Sequence, residues 1–354
     1  VETIISNAST QDLSVSGIQS EVALEMGGRH GDSGGNDATF SVAFADSVEP
    51  IDSVDVTLNG VRTNAEDATG EGALAINGDV ETVNIDSTGG FSNNLASLSG
   101  NGGLNTALVT GNRDLRIGSL GENITTFDAT GGADNDQLTG DLRVTAAADL
   151  QDESDAALAI TGGTGDDSID IDDALTVNGL DGSFGGTITI DGNNGSDSLS
   201  LDADDSKGRF DNLIALNNVT IQNIETTVIT VNGAALNEFD MADLGGTNSF
   251  GFVQGTSAPN NVTATAENLS ANFGLAFVDD GTGNNLGNVT INDIADGSGQ
   301  TSLNVQLRAV VDPDNGNFLA ESTIGNLSVD TIEDLTISST GNNALDDPDQ
   351  GDLD

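Results

Sequence analysis

Short runs in which aliphatic residues alternate with Thr, Asn, Asp or Ser recur along the whole chain. Val54, Val56 and Leu58 lead into Asn59-Gly60, Ile188 and Ile190 lead into Asp191-Gly192, and Leu303, Val305 and Leu307 form a third such run. Side chains of a strand point alternately to its two faces, so this pattern puts the aliphatics on a buried face and the polar residues on a wet one. The Gly, Asn and Asp clusters between runs read as turns. Helical periodicity is nearly absent; the one candidate is a short helix over residues 234–244, with Leu236, Phe239 and Leu244 as an incomplete stripe. The predicted class is therefore all-β: a β-solenoid of β-helix type, or a stacked β-sandwich, with turns rich in Asp, Gly and Asn.

Organisation along the chain is soft-edged. Residues 1–115 read as an N-terminal β region, and the aliphatics Ile4, Ile5, Leu13 and Val15 suggest exposed strands within 1–20 that could be donated to a neighbour. A turn-rich segment over 116–205 follows, then a C-terminal β region over 206–340 and an acidic tail over 341–354. Three aliphatic-Glu openings, Val80-Glu81, Ile224-Glu225 and Ile332-Glu333, each precede an alternating strand and point to repetition of one rung.

Charge changes the picture most. Asp+Glu number 58 against 8 Lys+Arg, a formal net charge of −50. Such a chain needs cations from solution to offset its own field. One lysine, Lys207, and seven arginines make no basic patch for phosphate backbones or anionic lipid, so neither nucleic acid nor a membrane surface is an expected partner. No apolar run is long enough to span a bilayer. Cysteine is absent, which removes disulfides and thiolate metal sites as staples. With His30 as the one histidine, in a glycine-rich stretch that reads as a solvated loop, a histidine-based nucleophile system or zinc site has almost nothing to build on. A β-helical polysaccharide lyase would want basic catalysts and aromatic platforms, so a non-catalytic role is the expectation. The chain opens at Val1, as a processed chain or an excised piece does.

The most specific motifs lie in the middle. They read Gly131-Gly132-Ala133-Asp134-Asn135-Asp136-Gln137-Leu138-Thr139, Gly162-Gly163-Thr164-Gly165-Asp166-Asp167-Ser168-Ile169-Asp170, and Gly192-Asn193-Asn194-Gly195-Ser196-Asp197-Ser198-Leu199-Ser200. Each resembles the Gly-Gly-x-Gly-x-Asp-x-aliphatic-x nonapeptide of RTX proteins, a calcium-binding repeat. The second matches at every defined position; the first has Asp134 for the third Gly, and the third has Asn193 for the second. Ca²⁺ takes about six to eight hard oxygens from carboxylates and carbonyls. Glycine allows the turn, aspartate supplies charge, and the aliphatic starts a strand. The candidate ligands are Asp134, Asn135, Asp136, Gly163, Gly165, Asp166, Asp167, Asp170, Asp172, Asn193, Gly195, Asp197, Asp202 and Asp204. The leading aspartates Asp136, Asp167 and Asp197 stand about 30 residues apart, so the loops stack if one coil takes that length. Weaker acidic turns hold Asp32, Asp37, Asp279, Asp280, Asp312, Asp314, Asp347 and Asp349.

Together these motifs, the run Asn123 to Asp128 and the aliphatic-Glu strands look like RTX-type S-layer proteins and large bacterial adhesins. The resemblance implies a secreted cell-surface protein that orders when it meets several calcium ions and assembles into a lattice or filament with its own kind. Binding a cell-surface glycan at such calcium loops is the alternative. At about 100 times Kd, each site specific to the folded state would add roughly 2.7 kcal/mol. Salt adaptation is a second explanation of the acidity, though it does not explain the glycine-aspartate-aliphatic offsets.

Overall fold

A computed structural model describes residues 2–19, 22–30, 38–45, 51–63, 72–121, 123–131, 137–146, 157–171, 187–203 and 219–231, with strand segments at 237–240, 249–254, 264–267, 274–278, 286–291, 302–308, 324–329 and 334–340. The described residues form strands, turns and bends, with no helix. The chain divides into two compact units, residues 1–179 with 183–198, and residues 180–182 with 199–354.

In the first unit each coil contributes one strand to each of two sheets. Coil 1 is Glu2–Asn7 with Leu13–Ile18, coil 2 Val22–His30 with Ala38–Phe44, coil 3 Ile51–Thr63 with Gly72–Gly78, and coil 4 Val80–Thr88 with Asn93–Gly102. Coil 5 is Thr106–Gly111 with Leu115–Leu120, coil 6 Thr126–Asp128 with Leu142–Ala146, and coil 7 Ala157–Thr161 with Ser168–Asp170. Coil 8 begins with Thr187–Asp191. Every strand pairs in parallel with the same strand of the next coil. Such pairing decides between the two predicted architectures, because sandwich sheets are antiparallel and a solenoid is parallel. The border anticipated at 115/116 coincides with the start of strand Leu115–Leu120, and the sheet runs through it.

Register stacks like on like. Val54, Val83, Ala107, Phe127, Ile160 and Ile190 fall in one column of the first sheet. Phe40, Leu74, Leu98, Leu120 and Ala146 fall in one column of the second. All of these are buried, whereas most of the alternate positions are polar. A slip of one residue would turn every aliphatic outward, which is why the alternating pattern fixes the pairing. Each coil leaves its outer face wet, an arrangement that parallel sheets usually avoid by covering both faces with helices.

Two local expectations are corrected. His30 is not a solvated loop residue: it ends the strand Val22–His30 and is fully buried, with Nε2 donating to the Gly27 carbonyl at 2.9 Å. The strand runs on through Gly27 and Gly28, the latter at φ +76°, and His30 keeps the inward phase of Val22, Leu24 and Met26. The short helix over 234–244 is replaced by the strand Asn237–Asp240, paired in parallel with Ala264–Glu267. An incomplete apolar stripe could not outweigh a ready ladder.

The second unit contains two further parallel ladders. One runs through Thr226–Val231, Ser249–Gln254, Gly274–Val278, Ser302–Arg308 and Asp334–Thr340. The other runs through Asn237–Asp240, Ala264–Glu267, Leu286–Ile291 and Ile324–Val329.

Because Ile85 is 1 % exposed, Ile85→Ala should lower stability by about 2–5 kcal/mol. Glu81→Ala, on the wet face of the same strand, should change it by less than about 0.5 kcal/mol. Urea unfolding of the two variants checks the contrast.

Candidate functional site

The described parts of the motif segments lie at the corner where the chain passes from the first sheet to the second. Here the backbone leaves one ladder before entering the other, and its buried amides need new acceptors. Side-chain oxygens supply them. Leu142 N–H donates to Asp167 Oδ1 at 2.8 Å, Gly163 N–H donates to Asp167 Oδ2 at 2.7 Å, and Asp167 N–H donates to Asp197 Oδ1 at 2.8 Å. Asp167 and Asp197 are each 1 % exposed. This inward row ties coil 6 to coil 7 and coil 7 to coil 8.

A second row runs outside it in the opposite sense. Asp141 N–H donates to Asp114 Oδ1 at 3.2 Å, Asp166 N–H to Asp141 Oδ1 at 2.9 Å, and Ser196 N–H to Asp166 Oδ1 at 2.9 Å. Asp114, Asp141 and Asp166 are exposed. Coils 6 to 8 are thus linked twice at one corner, by carboxylates reaching backward and forward along the stack, and coil 5 is linked to coil 6 by the outward row alone.

Coil 4 solves the same problem with an amide. Asn93, fully buried, accepts from Val61 N–H at 2.8 Å through Oδ1 and donates through Nδ2 to the Thr88 carbonyl at 3.0 Å and Ser87 Oγ at 2.9 Å. Where the second side-chain atom faces a carbonyl, asparagine fits; where it faces the Gly163 N–H, only a carboxylate accepts at both ends.

The motif glycines have a packing role. A Cβ on Gly165 would lie 2.6 Å from the Gly140 carbonyl oxygen, and one on Gly195 would collide with the Gly165 carbonyl. Gly195 also has φ +141°, and Asn193 takes the left-handed region at φ 69°. Successive corners touch backbone to backbone, so the third glycine of the motif is required for stacking. The Gly163 carbonyl accepts from Asn193 Nδ2 at 2.8 Å.

Burial raises the Asp167 pKa from 3.8 to about 7; the two N–H donors oppose the shift, and the neighbouring carboxylates of Asp197 and Asp141 reinforce it. The described residues contain no group of three or more acidic or histidine side chains that could hold a metal. Asp167 does not suit a cation: both its oxygens already face N–H donors. The outward row suits a hard cation better, since Asp141 and Asp166 are exposed, and the hydrogen bond that each accepts goes to Oδ1.

Of the other sequence candidates, Asp170 lies half-buried at the end of strand Ser168–Asp170, and Asp202 falls on the strand Ser198–Ala203. Asp134, Asn135, Asp136, Asp172 and Asp204 lie outside the described residues, as do Asp32, Asp37, Asp279, Asp280, Asp312, Asp314, Asp347 and Asp349. Sequence reasoning missed Asp114, Asp141 and Asn93. The usable signal was an Asp or Asn immediately before or at the start of an aliphatic strand, as in Asp114-Leu115 and Asp141-Leu142.

No protein-family model, curated protein or solved structure matches the chain. The class defined by the fold is a parallel all-β solenoid.

A raised carboxylate pKa means that the folded chain holds the Asp167 proton more tightly than the unfolded chain does. That contribution is complete below pH 3.8 and lost as pH rises through about 7. Asp167→Asn sets an amide group against one of the two N–H donors, so it should destabilise at every pH and remove this part of the pH slope. Urea midpoints from about pH 4 to about pH 8 test this, and parallel slopes for wild type and variant would contradict it.

Proposed function

We propose that this chain is an extracellular structural protein of a microbial cell surface, one that binds calcium and polymerises with copies of itself. The observation that carries the reading is the in-register parallel stack, in which the backbone of each coil is the template for the next. The net charge of −50 supports a role for a divalent cation, because like-charged copies must be screened before they can approach. The RTX-like segments support calcium as that cation. They supply the corners of coils 6 to 8, where Asp141 and Asp166 stand on adjacent coils. The remaining acidic candidates enter the proposal on their sequence alone.

A second reading, an adhesin for a neutral glycan, draws on a shallow polar groove lined by Asp86, Thr110, Asn112, Gln137, Thr139 and Thr164. Gln137 Oε1 is buried there without a hydrogen-bond partner among the described residues. Glycan arrays with and without calcium separate this role from a purely structural one.

Electron microscopy in about millimolar calcium, the range of extracellular calcium modules, should show filaments or sheets that EGTA disperses. A protein that stays monomeric by light scattering in both conditions overturns the reading. Asp141→Asn with Asp166→Asn keeps an oxygen for each amide and removes the charge, so calorimetry should show weakened calcium binding while circular dichroism stays unchanged. Undiminished binding would place the ion elsewhere.

A further inference from the structure

Among the described residues, coil 1 has a neighbour on one side only. Its strands Glu2–Asn7 and Leu13–Ile18 stand at the edges of the two sheets, paired with coil 2 along one row of backbone groups. The core is open there as well. Ile4, Leu13, Val15 and Ile18 are half-buried, whereas their register partners Leu24, Phe40, Val42 and Phe44 in coil 2 are buried. The last two strands of the second unit, Ile324–Val329 and Asp334–Thr340, are likewise the edges of their ladders. An open strand edge is a template for another strand.

A recurring side-chain hydrogen bond points to the partner that fits. An aspartate immediately before a second-sheet strand accepts from the amide at the same position one coil further on. Thr39 N–H donates to Asp12 Oδ1 at 2.9 Å, just ahead of the register pair Leu13 and Phe40. Asp141 N–H donates to Asp114 Oδ1 at 3.2 Å, just ahead of Leu115 and Leu142. The same step takes Asp166 N–H to Asp141 Oδ1 at 2.9 Å. Asp334 repeats the position: it directly precedes Leu335, the register partner of Leu303, and it is exposed. Among the described residues the Asp334 carboxylate meets no amide of a later coil, and the Asp12 amide meets no carboxylate of an earlier one.

We infer that the first coil of one copy is the docking surface for the last two strands of a second copy, with the second copy's Asp334 carboxylate accepting from the first copy's Asp12 amide. The contact continues both ladders in parallel, Ile324–Val329 against Glu2–Asn7 and Asp334–Thr340 against Leu13–Ile18, and it covers the open core. The paired strands are of similar length, and short connections, residues 8–12 and 330–333, join them in the same order. The strands within 1–20 are already paired in their own stack, so the copies join edge to edge without exchanging a strand. Two first coils meeting face to face would pair antiparallel, unlike every described ladder, and would offer the Asp12 amide no matching aspartate. A head-to-tail contact leaves a free edge at each end, so it propagates as a filament. Exposed Glu2, Asp12 and Asp334 give both surfaces negative charge, so screening cations favour the contact. The inference rests on the reading of self-assembly and names the two surfaces that perform it.

Sedimentation velocity and electron microscopy on the full chain, in about millimolar calcium, test it with variants that block one end. Leu13→Glu with Val15→Glu sets two charges across the open first coil, and Leu335→Glu with Ile337→Glu does the same at the other edge, where stacking would bury them. Each blocked variant alone should stay monomeric, and an equal mixture should give one-to-one dimers through the remaining pair of intact ends. Circular dichroism should show both folded. Asp334→Ala, a change at an exposed side chain, should weaken association about tenfold or more, and Asp334→Asn, which keeps an oxygen acceptor, should restore it. Polymers that form as readily from either blocked variant overturn the inference and leave assembly through another surface intact. Folded blocked variants that stay monomeric when mixed overturn it too, as do equal association of Asp334→Ala and wild type, and a wild type that stops at the dimer. A wild type that is monomeric with and without calcium overturns both the inference and the reading beneath it.

Discussion

A buried backbone N–H without an acceptor is costly, and a solenoid creates such groups at every corner. Within the sheets, the parallel ladder satisfies the backbone from coil to coil. At the corner of coils 6 to 8 the ladder is interrupted: some amides, such as that of Thr164, still bond to a backbone carbonyl of the adjacent coil, and others to carboxylate oxygens of Asp167 and Asp197 inside and of Asp141 and Asp166 outside. The stack therefore depends on side chains that are fixed in register with the coil they serve. That dependence explains why aspartate stands immediately before the strand: one residue later, the same side chain would point away from the amide that needs it.

The glycines follow from the same stacking. Coils joined by backbone hydrogen bonds at a tight turn approach too closely for a Cβ, as the contacts of Gly165 with Gly140 and of Gly195 with Gly165 show. A motif that looks like a metal loop in sequence thus also has the composition demanded by a stacked corner. The carboxylates that serve corner hydrogen bonds in coils 5 to 8 contribute to the net charge of −50. Burying one of them has a visible electrostatic consequence: Asp167, beside Asp197 and Asp141, holds its proton up to about 7. A neutral asparagine avoids that cost in coil 4, where the local donors and acceptors allow it.

Much of the fold was legible because alternation is a two-residue signal that survives even in a chain rich in glycine. Val54, Val56 and Leu58 are buried as their spacing required, and so are Ile188 and Ile190. Parallel pairing was not legible, since alternation with one wet face fits an antiparallel sandwich equally well. His30 was misread because a glycine-rich stretch looks like a loop, whereas the strand Val22–His30 continues through both glycines and keeps the phase of Val22, Leu24 and Met26. At the corner, the importance of Asp167 and Asp197 was readable from the motif. Their use of backbone amides was not, because one carboxylate can serve a cation or an N–H and only the register of adjacent coils decides which. Asp114 and Asp141 escaped notice for the same reason: their partners lie a whole coil away in sequence.

The central claim is that corner carboxylates hold the coils together through backbone amides, without needing an ion to do so. Hydrogen exchange of the Leu142, Gly163 and Asp167 amides in calcium-free buffer with EGTA measures this directly. The account predicts slow exchange at all three, comparable with the amides of neighbouring strands. Exchange at the rate of an open chain, slowing only when calcium is added, would contradict it.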